Sequence, residues 1–314
     1  MNISIVIPNY NGENLLKNNL PFVIDAISVH KKGFIEVIIV DDNSVDDSVA
    51  KAESLANEMN KKYSKIKIKV IKNDKNLGFS STANRGVSES QGDIVILLNT
   101  DVIPAKGFLE PLLEDFKDEK IFAVGCMDKS IEKDKIILRG RGIGKWQRGF
   151  LIHARGETNK NSTLWVNGGS GAFKKTIWEK LGGFSVLYNP FYWEDIDLSY
   201  RAIKSGYKLL FEPKSIVVHE HEKGAINKTY SDFKIKTIAY RNQFIFVWLN
   251  ATDLEIQLLH IIWLPYHFLR ALLRIDLEFF IGFITAFILL PKIIKSRVKF
   301  NKYFVKRDSE VITF

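Results

Sequence analysis

The sequence predicts an α/β protein: a mostly parallel β-sheet with helices on both faces, followed by a helical region at the C-terminal end. Three observations lead there. Strand and helix signals alternate through the first hundred residues, the pattern that builds parallel sheets. Residues from about 105 to 222 are more mixed, with a Gly- and Arg-rich stretch from Arg139 to Gly156. After Gly224 the chain becomes aromatic-rich and helical, and ends in an apolar run followed by basic residues. The expected division is a domain of residues 1–222 and a helical region of residues 223–314.

The elements follow in order. Ile3 to Pro8 reads as a buried strand and Glu13 to Val29 as a helix. Glu36 to Val40 is a second strand, ending at Asp41 and Asp42, and Val45 to Lys61 a second helix. Ile66 to Ile71 alternates apolar and lysine residues with period two, as a half-exposed strand does. Phe79 to Ser88 is a third helix and Ile94 to Leu98 a very apolar fourth strand. A helix is expected from about Asp195 to Ser205, then strands Tyr207 to Phe211 and Ser215 to Val218, leading to His219. Phe233 to Leu249 and Glu255 to Ile275 read as helices.

Bulk properties narrow the class. A chain of 314 residues with 46% apolar and 26% charged residues folds around a sizeable core. A net charge of +9 favours anionic partners such as nucleic acid, acidic headgroups or phosphate-bearing small molecules. Basic residues are scattered and no nucleic-acid motif is present, so no nucleic-acid partner is expected. The one cysteine, Cys126, follows an apolar run and is expected as a small buried hydrophobe. The N-terminus opens on a strand rather than a basic-then-apolar leader, which predicts a cytoplasmic location, on the inner face of a membrane if bound to one.

Ligands on parallel sheets bind beyond the carboxyl ends of the strands. Asn9-Tyr10-Asn11, Asp41-Asp42 and Asn99-Thr100-Asp101 all fall there. Asp101 is either a turn residue or a ligand for a divalent cation bridging two phosphates. Asp42 either caps a helix or accepts a hydrogen bond from a base or ribose. Tyr10 is a loop aromatic or a stacking platform for a base. Trp193-Glu194-Asp195-Ile196-Asp197 opens a helix, where acidic residues suit the helix dipole. The sharper reading makes Asp195 a general base, with Trp193 presenting an apolar face to a sugar ring. Asp197 and Arg201 are spaced to pair at i,i+4. Gly168-Gly169-Ser170-Gly171 is a tight turn or a loop whose backbone approaches an acceptor or phosphate. His219 and His221 flank Glu220; a histidine here can complete a metal shell begun by Asp101. The spacing is not that of a zinc protease, and no Gly-x-Gly-x-x-Gly follows the first strand.

Taken in order, these motifs resemble family 2 glycosyltransferases. The likeness runs from Ser4–Gly12 through Val40–Asp46, Asn76–Phe79 with Asn84–Gly86, Leu98–Asp101, Gly169–Phe173, Gly182–Phe184 and Glu194–Leu198 to His219, roughly residues 3 to 222. The resemblance implies a GT-A fold, a Rossmann-like sheet, and an inverting single displacement from a nucleotide diphosphate sugar. It implies nucleobase contacts near Pro8, Tyr10 and Asp42, and Mg²⁺ or Mn²⁺ held through Asp101 and His219. It implies Asp195 as base, with Trp193 and Glu194 on the acceptor side. Gly78, Asn84, Asn99 and Gly169 complete the substrate-binding set. Asn99 replaces an acidic residue of the metal motif, a variant that resembles the rhamnosyltransferase-like branch and points first to dTDP-rhamnose. A UDP-hexose donor, or a nucleotide-sugar-binding protein without catalysis, are the alternatives.

Phe279 to Leu290 is twelve residues, about 18 Å as a helix. Ile256 to Ile275 is interrupted by His260, Pro265, His267, Arg270 and Arg274. The expectation is helices lying in the headgroup plane, with Lys292, Lys295, Arg297 and Lys299 toward anionic lipid. That would hold the site against a lipid-linked or glycan acceptor at the cytoplasmic membrane surface. The sequence leaves the oligomeric state open.

Overall fold

The computed structural model describes residues 1–132, 135–219 and 229–312. The first ninety-eight residues run β1 (Ile3–Asn9), α1 (Glu13–Ser28), β2 (Ile35–Asp41), α2 (Ser48–Lys62), β3 (Ile66–Lys72), α3 (Phe79–Ser88) and β4 (Ile94–Leu98). Next come β5 (Val102–Pro104), α4 (Leu109–Asp115), β6 (Ile121–Glu132), β7 (Lys135–Arg139), β8 (Gly142–Gln147), β9 (Phe150–Arg155) and β10 (Ser170–Lys174). The chain continues through α5 (Lys175–Leu181), α6 (Glu194–Lys204) and β11 (Lys208–His219). It closes with α7 (Asp232–Asn250), α8 (Leu254–Leu273), α9 (Leu277–Ile288), α10 (Leu290–Asn301) and the short α11 (Asp308–Val311).

Among the described residues, the main sheet has the order β3-β2-β1-β4-β10-β6-β11-β5, with β7 pairing β6. β3, β2, β1 and β4 are parallel. Central strands covered on both sides must be apolar throughout; β2 and β4 are buried at every position. β3 lies at the sheet edge, and exposed Lys67 and Lys72 keep that edge from pairing further. Alternate side chains of β1 enter two cores. Ile3, Ile5 and Ile7 belong to the core that includes residues of α1 and α2, whereas Val6 belongs to the one that includes Ala83 and Val87 of α3 and residues of the C-terminal helices.

Several expectations change. The Gly168–Gly171 stretch is no free loop: Ser170 begins β10, antiparallel to both β4 and β6. The two strands expected between Tyr207 and Val218 are one, β11, with an irregularity between Glu212 and Ile216. The irregular Arg139–Gly156 region contains a hairpin, β8–β9, turning at Arg148 and Gly149, both with positive φ. Asp42 does not cap a helix, because α2 starts only at Ser48. Cys126 is buried as expected, and burial pushes its thiol up to about 12.

The boundary expected near residue 222 lies outside the described residues, as do Glu220 and His221. Residues on either side share one core: Trp193, Tyr200 and Trp178 cluster with Phe244, Phe246, Phe279 and Phe300. α7 also grips the loop before α6, since Asn242 donates to the carbonyls of Tyr188, Phe191 and Tyr192 at 3.1, 2.9 and 2.8 Å. The stretch read as interrupted is one helix, α8, of 20 residues with Pro265 inside it. It is long and apolar enough to cross a membrane by length and composition. The run after Phe279 breaks at Leu289, where α9 and α10 meet at 64°. Pro291 sits in the first turn of α10, where its missing N–H costs nothing.

Candidate active site

The carboxyl ends of β1, β2 and β4 open into a cleft of about 690 Å³. Pro8, Tyr10, Asp42, Gly78, Asn99, Asp101, Gly169, Trp193, Glu194, Asp195 and His219 all line it. The topology therefore gathers eleven of the twelve site residues expected from sequence. Asn84 is the exception: it is absent from the lining, and its side chain holds the Phe184 backbone, accepting from N–H at 2.9 Å and donating to C=O at 2.8 Å.

The strand-end loops are tightly cross-braced. Ser44 Oγ accepts from Asn11 N–H at 2.8 Å, and Asn11 Oδ1 accepts from Val45 N–H at 2.9 Å, which fixes the loop carrying Tyr10. Asp42 accepts from Asn73 Nδ2 and the Leu77 and Gly78 N–H groups, each at 2.8 Å. Its carboxylate is thus first a brace for the Asn76–Gly78 loop. Gly78 has φ +81°, and a Cβ there would come within 2.9 Å of the Asn189 side chain, so only glycine fits without strain. Gly169 also serves close approach: a Cβ would lie 2.5 Å from Asn99 Nδ2.

β11 runs antiparallel to β5 with His219 opposite Val102. That register puts His219 beside Asp101, with Nε2 3.2 Å from Asp101 Oδ1. The contact lacks full hydrogen-bond geometry, and this buried oxygen has no other partner. The imidazole's other nitrogen lies 3.0 Å from Asp128 Oδ2. Burial opposes a charge on His219, but Asp101 and Asp128 overcome it and push the imidazole up to about 9. Among the described residues no group of three or more His, Cys, Asp or Glu side chains could hold a metal ion. Asp101 and His219 are the residues that could hold a divalent cation here, since an aspartate oxygen suits a hard cation that takes its remaining ligands from phosphate and water.

On the opposite wall, α6 presents Glu194 and Asp195 from its first turn. Asp195 accepts from Ile196 N–H at 2.7 Å and, more weakly, from Gly168 N–H at 3.4 Å. Burial pushes its carboxyl up to about 6, against the opposing pull of these backbone donors. Glu194 is 6% exposed, and its Oε2 has no hydrogen-bond partner. Burial, reinforced by Asp195, holds it well above the usual carboxylate range. Asp197 points inward and pairs with Arg201 at 2.8 Å, as their spacing predicts. Trp193 is 7% exposed behind His153 and Phe246, so it offers little of the apolar face expected of it.

Sequence reasoning missed Arg139, His153, Trp165, Asn167, Tyr192 and Tyr230, which also line the cleft. His153 sits on the β8–β9 hairpin. Two runs separated by a two-residue turn ending in Gly149 were the available signal for that hairpin.

A mostly parallel α/β sheet with an acidic–histidine pair at one wall and carboxylates at the other defines a GT-A domain. The sequence model for glycosyl transferase family 2 matches residues 4–181, more than half of the chain, and the chain belongs to that family. A probable glycosyltransferase, YdaM of Bacillus subtilis, is 30% identical over 217 residues, 68% of this chain and 49% of that protein. The O-antigen chain rhamnosyltransferase RfbN of Salmonella typhimurium is 25% identical over 228 residues, 70% of this chain and 67% of that protein. Among solved structures, S. aureus TarS 1–349 with UDP-GlcNAc superposes with a TM-score of 0.59 at 17% identity, over 96% of this chain and 89% of that one. GalNAc-T7 with UDP, GalNAc and Mn²⁺ gives 0.63 at 21% identity, over 79% of this chain and 48% of that one. The chain thus spans about half the length of YdaM and GalNAc-T7.

Proposed function

We propose that the chain is an inverting, divalent-metal-dependent hexosyltransferase. It moves a sugar from a nucleoside diphosphate onto a lipid-linked or polysaccharide acceptor in cell-surface glycan synthesis. One observation carries this reading: Asp195, a carboxylate pushed up to about 6, faces the same cleft as the Asp101–His219 pair. A base with that pKa is ionised at neutral pH yet stronger than an ordinary aspartate.

Asp195 takes the proton from an acceptor hydroxyl as its oxygen attacks the anomeric carbon. The new C–O bond forms opposite the breaking bond to diphosphate, so the anomeric configuration inverts and the diphosphate leaves with the bonding pair. Asp101, with Asn99 beside it, and His219 once its Nε2 has given up its proton, would hold Mg²⁺ or Mn²⁺; when bound, the cation neutralises charge on the leaving diphosphate. Tyr10 and Pro8 contact the nucleobase. Asp42 shapes the same pocket through the Gly78 loop, and Gly169 leaves room beside Asn99.

The first donor is dTDP-rhamnose, supported by likeness to RfbN and to a second O-antigen chain rhamnosyltransferase, WbaN. A UDP-hexose is the second reading, supported by the likeness to TarS bound to UDP-GlcNAc. The catalytic unit is built on residues 1–222 with α7 supporting its wall, and residues 223–314 otherwise supply the membrane-associating region, at the inner face of the cell membrane. The support is the exposed apolar face of α8 (Ile261, Ile262, Leu269, Leu272, Leu273) with exposed Lys292, Lys295 and Lys299 nearby in the chain. Arg297 leaves the expected basic cluster, because it donates to the carbonyls of Trp248 and Ala251 at 2.8 and 2.6 Å.

The test is a thermal-shift series of nucleotide sugars with and without Mn²⁺, followed by assay of nucleoside diphosphate release. One donor should raise the midpoint only with metal present, and release should require Asp195. Stabilisation without turnover would leave a binding protein, the outcome that Asn99 motivates. No response to any donor would end the transferase reading.

A further inference from the structure

The cleft wall beside Asp195 is aromatic, and it is built largely outside the motifs of the strand ends. His153 projects from β9, exposed, with its ring 5.0 Å from Trp193 at 87° and 5.4 Å from Trp165 at 80°. Trp193 is closed off from behind by Phe246 at 5.1 Å. Gly142 of β8 lies directly under Trp165, where a Cβ would approach the ring carbons to 2.3 Å. Both tryptophans are therefore fixed in place. The aromatic surface left facing the cleft comes from His153, half-buried Trp165 and exposed Tyr192.

This surface sits next to the chemistry. Trp193, in edge contact with His153, is two residues before Asp195. Glu194, between them, is nine-tenths buried with Oε2 unpartnered, and it lines the same cleft.

We propose that His153 and Trp165 seat a pyranose ring of the acceptor, so that the attacking group is a sugar hydroxyl and not a lipid phosphate. This deepens, and rests on, the transferase reading above. A pyranose has an apolar C–H face that packs on aromatic rings and a rim of hydroxyls. The hydroxyls match the vacant carboxyl oxygen of Glu194 and the carboxylate of Asp195. A phosphate nucleophile would instead bring its negative charge against the ionised Asp195 carboxylate, at close range and in a desolvated cleft where repulsion is strong. Desolvation by the surrounding wall lowers the pKa of His153, although its residue as a whole is exposed, and favours the neutral ring, which can both donate to and accept from a hydroxyl.

The experiment is saturation-transfer NMR on the full chain with UDP and Mn²⁺. The probes are methyl glycosides of L-rhamnose, D-galactose, D-mannose and N-acetyl-D-glucosamine, with farnesyl phosphate as competitor. At least one glycoside should receive saturation at its ring C–H protons. His153→Ala should weaken that glycoside about fivefold or more, and His153→Phe, which keeps a ring, should stay within about twofold. UDP affinity and the thermal midpoint should be unchanged in both, and farnesyl phosphate should not displace the glycoside. The proposal fails if UDP binds but no glycoside does, if His153→Ala changes nothing, or if farnesyl phosphate displaces the sugar. If UDP does not bind while His153-dependent glycoside binding persists, the transferase reading falls and the sugar seat stands. If neither binds, both fall.

Discussion

The two walls of the cleft are built differently. The wall at the carboxyl ends of β1, β2 and β4 takes most of its residues from positions directly following strands, and its loops brace one another, as Asn11 does Ser44 and Val45, and Asp42 the Gly78 loop. The opposite wall needs β8, β9, α6 and α7 together, and most of its contacts join residues far apart in the chain. α6 is the clearest case. Its start carries Asp195, while its end carries Lys204, fully buried and bonded to Asp308 at 2.7 Å. Asp308 also accepts from Tyr200 at 2.7 Å and from the Thr252 and Asp253 N–H groups at 2.6 and 2.7 Å. One wall inherits its geometry from the sheet. The other is a tertiary assembly that depends on the C-terminal helices.

The sharpest test of this contrast is Asp195→Asn. Transfer should fall by about 10³-fold or more, within the range for loss of a general base, while UDP affinity measured by calorimetry stays within a factor of two or so. Equal loss of UDP binding would show that the two walls are not separable. Next in size is Asp308→Ala. It strands Lys204 in the interior, and removing one partner of a buried pair costs about 3–5 kcal/mol. Urea unfolding should register that loss. Transfer should suffer more than UDP binding in the fraction that stays folded, because the elements that lose Asp308 are α6 and the Thr252–Asp253 turn and not the strand-end loops.

A smaller effect is expected at the surface. Ile262→Asp on the exposed face of α8 should reduce co-sedimentation with anionic vesicles and leave UDP binding unchanged. Unaltered co-sedimentation would remove α8 from membrane contact. The smallest effect is one of linkage. Folding raises the Asp195 pKa from its ordinary value to about 6, so the folded state binds that proton more tightly than the unfolded chain does. This contribution stabilises fully below the unfolded pKa and is lost as pH rises through about 6. Asp195→Asn should therefore melt higher than the parent at pH 8, with the gap narrowing below pH 6 in a calorimetric series.

The same contrast decides what the sequence revealed. Apolar runs at Ile3–Ile7 and Ile94–Leu98, each followed by polar residues, marked both the strands and the ligand edge, because a parallel sheet puts the two in fixed relation. His219 was found for the same reason, as a strand-end residue. His153 and Trp165 were not, because an aromatic on a two-stranded hairpin looks the same whether it packs inward or faces a cleft. Asn84 was over-read: its motif was visible, but its partner, the Phe184 backbone, lies 100 residues away. Arg297 looked like a surface charge for the same reason. Its carbonyl partners sit 49 and 46 residues earlier, at the end of α7 and just beyond.

The bond between Lys204 and Asp308 has a consequence for the order in which the protein can be made. The strands of the sheet and the wall at their carboxyl ends are complete in sequence by His219, while the rest of the chain is still being translated. The helix that carries Asp195 cannot bury Lys204 with its counter-charge until Asp308, 104 residues later, leaves the ribosome. At about 5–20 residues per second that is a wait of roughly 5–20 s. During it, a half-built chain already holds the strand-end pocket but lacks the settled wall that would use it.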